Sequence, residues 1–187
     1  MSGQAFTDGL LALAWTLVLA DLLRAARQTH VHWIRRLVGM VLLAGTLAVA
    51  WFLERATGGR FAWHPVAAAL GVTIVLAGLA LHAWGRRTLA ERWSPQVAPS
   101  GDVRLAEDGP YAIVRHPLYA AIVLLGTGTL LAHCSRAVLA ATVGIVIGVG
   151  AKRRAEDRAL EARLGPRWTD YARRVPALWP RLRRGTR

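Results

Sequence analysis

The sequence predicts an all-α integral membrane protein with five transmembrane helices, and two observations support this fold class. The hydrophobic fraction is 54% and the mean hydropathy is +0.32, both above the usual range of soluble proteins. The apolar residues are also gathered in long blocks that arginine-rich stretches separate. At 187 residues the chain has the length of one domain, so we expect a single membrane domain over residues 1–187.

Five apolar blocks provide the predicted spans. A helix rises 1.5 Å per residue, so about 20 apolar residues cross the hydrocarbon core. No Lys or Arg precedes the first block and no small-residue cleavage pattern follows it, so we expect a span rather than a signal peptide. The fourth and fifth blocks are short, which predicts a tight hairpin whose turn lies shallow in one leaflet. The predicted spans are residues 6–23, 37–53, 65–84, 117–132 and 137–151.

Basic residues predict the orientation of the spans, because Lys and Arg close to span ends are retained in the cytoplasm. Of the 24 Lys and Arg residues, 21 lie in three segments that five spans place on one side of the membrane. The other side carries only Arg55, Arg60 and Arg136. We therefore expect an N-terminus outside and a C-terminus in the cytoplasm, in a bacterial inner membrane. The three basic segments are residues 24–36, 85–116 and 152–187.

The origin of the charge and the pattern of Cys and His residues argue against two other classes of function, nucleic-acid binding and metal binding. Positive-inside sorting and attraction to anionic lipid explain the net charge of +13, so we expect no nucleic-acid partner. The single cysteine, Cys134, can form neither an internal disulfide nor a thiolate cluster for zinc. The six histidines are scattered, and their spacing matches no common zinc or di-iron pattern. We expect no metal site.

The longest polar connection, residues 85–116, is predicted to be irregular structure at the cytoplasmic surface that forms a lid or pocket wall. It leads into Pro117, which fits the first turn of a helix because a missing amide is tolerated there. Since helix N-termini attract anions, Arg115 and His116 are candidates for binding a carboxylate or phosphate. The alternative is that Arg115 is a basic anchor and that Tyr111 and Tyr119 are interfacial aromatics.

A helix is predicted to continue out of the fifth span and to end at Gly165, which a proline follows. Lys152 and Glu156 lie one turn apart on a face of this helix that also carries leucines. An acid on an apolar face is unusual, although an ordinary ion pair between these two residues would also explain it. Asp157 and Glu161 lie about 100° further round, where we expect neighbouring arginines to pair with them in solvent.

These elements together resemble the isoprenylcysteine carboxyl methyltransferase family of membrane enzymes, which is also similar to phospholipid N-methyltransferases. The resemblance covers residues 96–176 and depends on several motifs in the correct order. They are Gly109-Pro110-Tyr111, Arg115-His116-Pro117-Leu118-Tyr119, and Glu156-Asp157 followed by Leu160, Gly165, Tyr171 and Val175-Pro176.

Four residues depart from the family pattern. Asp157 replaces a second glutamate, Trp168 stands where a tyrosine is common, and Ala121 replaces a glycine. Lys152 stands where the animal enzymes have an arginine. Because a lysine cannot offer a carboxylate the bidentate fork of an arginine, this last departure leaves the substrate open.

The resemblance implies a cytoplasmic cofactor pocket formed by the last helical hairpin, the preceding loop and a C-terminal helix. It implies S-adenosylmethionine as methyl donor, no metal, and catalytic roles for Arg115, Lys152 and Glu156, with Lys152 facing the substrate. The cofactor-binding residues that it implies are Gln96, Val103, Arg104, Leu105, Ala106, Tyr111, His116, Pro117, Leu118, Tyr119 and Glu156.

The expected function is S-adenosylmethionine-dependent methyl transfer to a lipid-like or isoprenoid acceptor that enters from the bilayer, with carboxylate O-methylation preferred. Two alternatives are N-methylation of a phospholipid amine and O-methylation of a hydroxyl, either of which needs a base such as His116 or Glu156. Sterol reductases are distantly similar in the C-terminal region, so an NADPH-dependent membrane reductase is an alternative of a different class. A non-enzymatic membrane protein is a further one.

Overall fold

The computed structural model of the chain describes residues 3–28, 64–92 and 105–180. Within these residues the chain is helical and contains no β-strand, which confirms the all-α class. The predicted second span, residues 37–53, lies outside the described residues. The helices are α1 (Gly3–Gln28), α2 (Pro65–Arg92), a 3₁₀ helix (Gly109–Ala112), α3 (Pro117–His133), α4 (Arg136–Leu164) and α5 (Pro166–Arg174).

Two of the described helices are long and apolar enough to cross a membrane. They are α1 over Gly3–Asp21 and α2 over Pro65–Leu89. α3 is apolar but has only 17 residues, and α4 carries Lys152 and several arginines beyond its apolar first half. Five spans therefore stay a prediction.

α2 continues beyond its predicted end at Trp84 and reaches Arg92. The prediction that the polar connection is irregular from residue 85 onward is therefore wrong. The residues that follow Gly85 are mostly good helix formers, and no proline interrupts them before Pro95. Gly85 is tolerated because it is buried against Leu118: a Cβ atom at Gly85 would lie 3.0 Å from that leucine's Cδ2 atom.

The hairpin between α3 and α4 is as tight as predicted. Its turn contains only Cys134 and Ser135, and Cys134 adopts a positive φ of 50°. The Ser135 hydroxyl accepts a hydrogen bond of 3.1 Å from a backbone N–H in the first turn of α4, as helix N-caps do. α3 begins at Pro117 and α4 ends just before Gly165, whose φ is +54°; both boundaries were predicted.

The described residues fall into two compact units. The first unit contains α1, α2 up to Leu79, α3 from Val123 and α4 up to Ile147. Two polar contacts join its α1 to α3: the indole of Trp15 donates to the Thr129 hydroxyl at 3.0 Å, and Asp8 lies 2.7 Å from His133. The apolar core of this unit consists of Leu11, Ala14, Val18, Val75, Leu125 and Ala132.

The second unit contains the other described residues, including the 3₁₀ helix, the start of α3, the C-terminal half of α4 and α5. Its core is a cluster of four buried side chains. Every predicted site residue that the structure describes lies in this unit. The four core residues are Leu105, Trp168, Tyr171 and Val175.

Two glycines bring α2 and α3 into backbone contact within the first unit. A Cβ atom at Gly128 would lie 2.7 Å from the Gly71 carbonyl oxygen and 2.9 Å from the Val75 backbone nitrogen. A Cβ atom at Gly71 would meet the Gly128 carbonyl oxygen at 2.5 Å. Because the obstructing atoms belong to the backbone, a side chain at either position forces the two helices apart.

We expect Gly128→Ala to destabilise the protein by about 1–3 kcal/mol, the usual cost of overpacking. Gly144→Ala is the matched control, because nothing lies within 4 Å of its Cβ position and alanine is the better helix former. Thermal unfolding in detergent should show a lower Tm for Gly128→Ala and an equal or higher Tm for Gly144→Ala. Equal melting temperatures for the two variants would contradict the close approach.

Candidate functional site

The segment that precedes α3 is held by the chain that follows α5. The Arg115 N–H donates to the Pro176 carbonyl at 2.8 Å, and the His116 N–H donates to the Ala177 carbonyl at 3.0 Å. The His116 carbonyl in turn accepts the Ala120 N–H in the first turn of α3. The backbone amides of residues 115 and 116 are thus already bonded and are not available to an anion at this helix start.

Asp157 joins α4 to this segment. Its Oδ1 atom lies 2.7 Å from His116 Nε2, and its Oδ2 atom lies 3.0 Å from Arg153 Nη1 and 3.8 Å from Arg115 Nη2. Only 19% of the Asp157 side chain and 5% of the His116 side chain are exposed. The predicted pairing of Asp157 with Arg153 is confirmed. The expectation that this pair lies in solvent is wrong, because helical spacing does not reveal His116 and Arg115, which contact the carboxylate from another segment.

Glu156 faces a different partner. The Tyr119 hydroxyl donates to Glu156 Oε2 at 2.7 Å, and the Tyr119 ring stacks on His116 with centroids 5.5 Å apart. Lys152 Nζ lies 5.8 Å from the centre of the same tyrosine ring. Within the part of the chain that the structure describes, Lys152 and Glu156 form no ion pair, and both are exposed rather than on a buried apolar face.

Arg115 is not a basic anchor at the surface. Its side chain is 13% exposed, and its guanidinium carbon lies 5.6 Å from the centre of the Trp168 ring. Its Nε atom is buried and has no hydrogen-bond partner among residues 3–28, 64–92 and 105–180. A buried donor without a partner is costly, so this N–H of Arg115 lacks the hydrogen bond that would offset its burial.

Tyr111 and Tyr171 anchor the 3₁₀ helix to α5. The Tyr171 hydroxyl donates to the Tyr111 carbonyl at 2.7 Å, in the core of the second unit. Burial and, to a smaller extent, the negative charge of Glu156 raise the pKa of Tyr111 to about 12, while the positive charge of Arg86 acts to lower it. Burial also raises the pKa of Tyr171 well above its usual value. Tyr111 is buried and is therefore not an interfacial aromatic.

The remaining predicted site residues differ in how deeply they are buried, and three of them are not described. Leu105 is buried in the core of the second unit, and Pro117 is buried at the first position of α3. Ala106 and Leu118 are partly buried. The structure thus brings His116, Tyr119, Lys152 and Glu156 into one group and joins Arg115 to it through Asp157. Three predicted cofactor residues, Gln96, Val103 and Arg104, lie outside the described residues.

A surface cavity of about 370 Å³ opens beside Arg115. Of the predicted site residues only Arg115 lines it, because Lys152 and Glu156 lie on another face of α4. In the described part of the chain, no group of three or more His, Cys, Asp or Glu residues is arranged to hold a metal ion. The cavity is lined by Arg115, Asp157, Glu161, Trp168, Thr169, Ala172 and Arg173.

Comparison with known proteins matches residues 69–162, half of the chain, to the sequence model of the isoprenylcysteine carboxyl methyltransferase (ICMT) family. The cobalt-zinc-cadmium resistance protein CzcN of Cupriavidus metallidurans is 41% identical over 81 residues, which cover 42% of this chain and 36% of that protein. The chain therefore spans about a third of the length of this relative. No solved structure matches the chain.

We expect Tyr171→Phe to destabilise the protein by about 1–2 kcal/mol, because it leaves the buried Tyr111 carbonyl without its donor. Thermal unfolding in detergent at pH 7.5 measures this loss as a lower Tm. A Tm within error of the wild type would mean that the hydrogen bond does not hold α5 to the 3₁₀ helix.

The pH dependence of the same measurement is a control for this role. Because folding raises the pKa of Tyr111 and Tyr171 above the usual value near 10, protonated phenols stabilise the fold fully below pH 10. The contribution of Tyr171 falls as the pH rises above the unfolded pKa near 10 and is lost as the pH passes the folded pKa, which burial raises well above this value. Tyr171→Phe should therefore lower the Tm most at neutral pH and least at pH 11–12.

Proposed function

The chain belongs to the isoprenylcysteine carboxyl methyltransferase family of membrane methyltransferases, and from this premise we propose that it transfers a methyl group from S-adenosylmethionine to a lipid-like or isoprenoid acceptor. The reaction that we propose is O-methylation of an acceptor carboxylate. One observation carries the proposal: the hydrogen bond between Tyr119 and Glu156 joins two motifs that lie 37 residues apart in the sequence.

The side chains around this bond fit a sulfonium cofactor. S-adenosylmethionine supplies an activated methyl group on a cationic sulfur and carries a carboxylate. The carboxylate of Glu156 can complement the positive charge, and the buried Nε of Arg115 is a donor for a carboxylate. The residues that we propose to hold the cofactor are Gln96, Val103, Arg104, Leu105, Ala106, Tyr111, His116, Pro117, Leu118, Tyr119 and Glu156.

Lys152 is proposed to orient the acceptor. It is exposed, it lies on the Tyr119 ring one turn from Glu156, and it offers a carboxylate a single positive charge rather than a bidentate fork. Direct displacement requires the acceptor oxygen to lie about 3–3.5 Å from the methyl carbon with water excluded. An ionised carboxylate needs no base, whereas an amine or hydroxyl acceptor would pass its proton to His116 or Glu156.

We also propose that the chain forms one membrane domain with five spans, its N-terminus outside and its C-terminus in the cytoplasm of a bacterial cell. The apolar helices α1 and α2 support this arrangement, as do the 21 of 24 basic residues that it places on the cytoplasmic side. A lipid acceptor can then keep its hydrocarbon tail in the bilayer while its polar end reaches Lys152 at the cytoplasmic face.

Binding of S-adenosylhomocysteine tests the proposed reaction. A ligand that binds the folded state stabilises it by mass action, so we expect saturating S-adenosylhomocysteine to raise the Tm of the purified protein. NADPH at the same concentration is the control and should leave the Tm unchanged. A Tm shift given by NADPH alone would favour the membrane reductase, and a shift given by neither compound would contradict the methyltransferase proposal.

Substitutions at Glu156 and Lys152 separate cofactor recognition from acceptor recognition. Glu156→Gln keeps the shape of the side chain and removes its charge, so we expect S-adenosylhomocysteine to bind about tenfold more weakly, since hydrogen bonds to charged groups contribute about 1.5–3 kcal/mol. Lys152→Met should leave this affinity nearly unchanged and reduce turnover. Isothermal titration with S-adenosylhomocysteine measures the first effect.

Asp170→Asn is the matched surface control, because this carboxylate on α5 is 68% exposed and its one ion pair with a described residue is a long contact of 3.6 Å with Arg173. If Glu156→Gln and Asp170→Asn bind S-adenosylhomocysteine as tightly as the wild type, Glu156 does not contact the cofactor. If Lys152→Met weakens binding as much as Glu156→Gln, the division between the two residues is wrong.

A further inference from the structure

The contact between His116 and Asp157 determines which nitrogen of the imidazole carries a proton. The Nε2 atom lies 2.7 Å from Asp157 Oδ1, and a carboxylate oxygen accepts hydrogen bonds, so Nε2 must be the donor. The other oxygen of Asp157 faces Arg153 and Arg115. Oδ1 is therefore the oxygen that is left to accept from the histidine.

The ring of His116 is also held from its face. It stacks on Tyr119 at an interplanar angle of 26°, and that tyrosine is itself fixed by its hydrogen bond to Glu156. Nδ1 of His116 has no hydrogen-bond partner among the described residues. When Nε2 carries the proton of a neutral imidazole, Nδ1 is a hydrogen-bond acceptor.

We propose that Asp157 is a positioning residue that holds His116 in the Nε2–H tautomer, so that Nδ1 accepts a hydrogen bond from an amino or hydroxyl group of the cofactor. The tautomer follows from contacts within the chain, whereas the bond to the cofactor rests on the proposed methyltransferase function. Asp157 thereby affects cofactor binding without touching the cofactor.

An asparagine cannot replace Asp157 in this arrangement. If the amide oxygen of Asp157→Asn faces His116, its NH₂ group faces the donors of Arg153 and Arg115. If the oxygen faces the arginines instead, the NH₂ group faces Nε2, which must then become the acceptor. The second orientation keeps all the hydrogen bonds and moves the imidazole proton to Nδ1. Asp157→Glu retains two acceptor oxygens and should keep the proton on Nε2.

Nitrogen-15 NMR of the full chain, labelled at histidine side chains and held in lipid nanodiscs at pH 8, tests the tautomer directly. His116→Gln identifies the resonances of His116 among those of the six histidines. We expect the Nε2–H tautomer in the wild type, in Asp157→Glu and in the surface control Asp170→Asn, and the Nδ1–H tautomer in Asp157→Asn. Wild-type protein with the proton on Nδ1, or an unchanged tautomer in Asp157→Asn, would overturn the proposal.

Isothermal titration of the same samples with S-adenosylhomocysteine tests the consequence for the cofactor. We expect the affinity to fall about tenfold in Asp157→Asn and to stay within about threefold of the wild type in Asp157→Glu and Asp170→Asn. A tautomer change without loss of affinity would overturn the bond from Nδ1 to the cofactor. If Asp157→Asn does not fold, the Nε2–H tautomer in both the wild type and Asp157→Glu supports the positioning role, and the Nδ1–H tautomer in either protein overturns it.

The two measurements distinguish this inference from the proposed function. Wild-type protein that shows the Nε2–H tautomer but binds no S-adenosylhomocysteine would refute the methyltransferase proposal and the cofactor bond, while the positioning of His116 by Asp157 would stand. Wild-type protein that binds S-adenosylhomocysteine with the proton of His116 on Nδ1 would support the function and refute the positioning role.

Discussion

The second unit depends on one carboxylate, that of Asp157, which holds two guanidinium groups and an imidazole around it. Arg115 and His116 come from the segment before α3, whereas Arg153 comes from α4 itself. Two guanidinium groups packed this closely and this little exposed would repel each other without an acceptor between them. The contact also sets the rotation of α4 about its own axis, since the next residue back, Glu156, then meets Tyr119. Two adjacent acids thus bind two different partners.

Local chemistry made several features of this fold predictable from the sequence. The proline that begins α3 and the Gly-Pro pair that ends α4 act through backbone conformation within one turn of the helix, so sequence alone locates them. The end of α2 was misplaced because an apolar block was taken for the whole helix, although the good helix formers that follow Gly85 continue the helix as far as Arg92.

The partner of Asp157 could not be predicted in the same way. Helical periodicity relates a residue only to others on its own helix, and His116 lies 41 residues away on a different element. The resemblance to the family drew attention to the Glu156-Asp157 pair, yet it pointed to the first acid and counted the second as a departure. Tyr171 shows the same limit, because its hydrogen bond to the Tyr111 carbonyl depends on how α5 packs.

The two backbone hydrogen bonds that Arg115 and His116 donate to Pro176 and Ala177 bear on how the protein is made. The donors leave the ribosome about 60 residues before their acceptors, an interval of roughly 3–12 s at ordinary rates of synthesis. During that time α3 and α4 can pair as a hairpin, but the segment that carries the Arg-His motif lacks the two carbonyl groups that accept its backbone hydrogen bonds. Translation that stops at residue 174 or 175 therefore yields a polypeptide with all five described α-helices whose Arg-His segment lacks both of these hydrogen bonds.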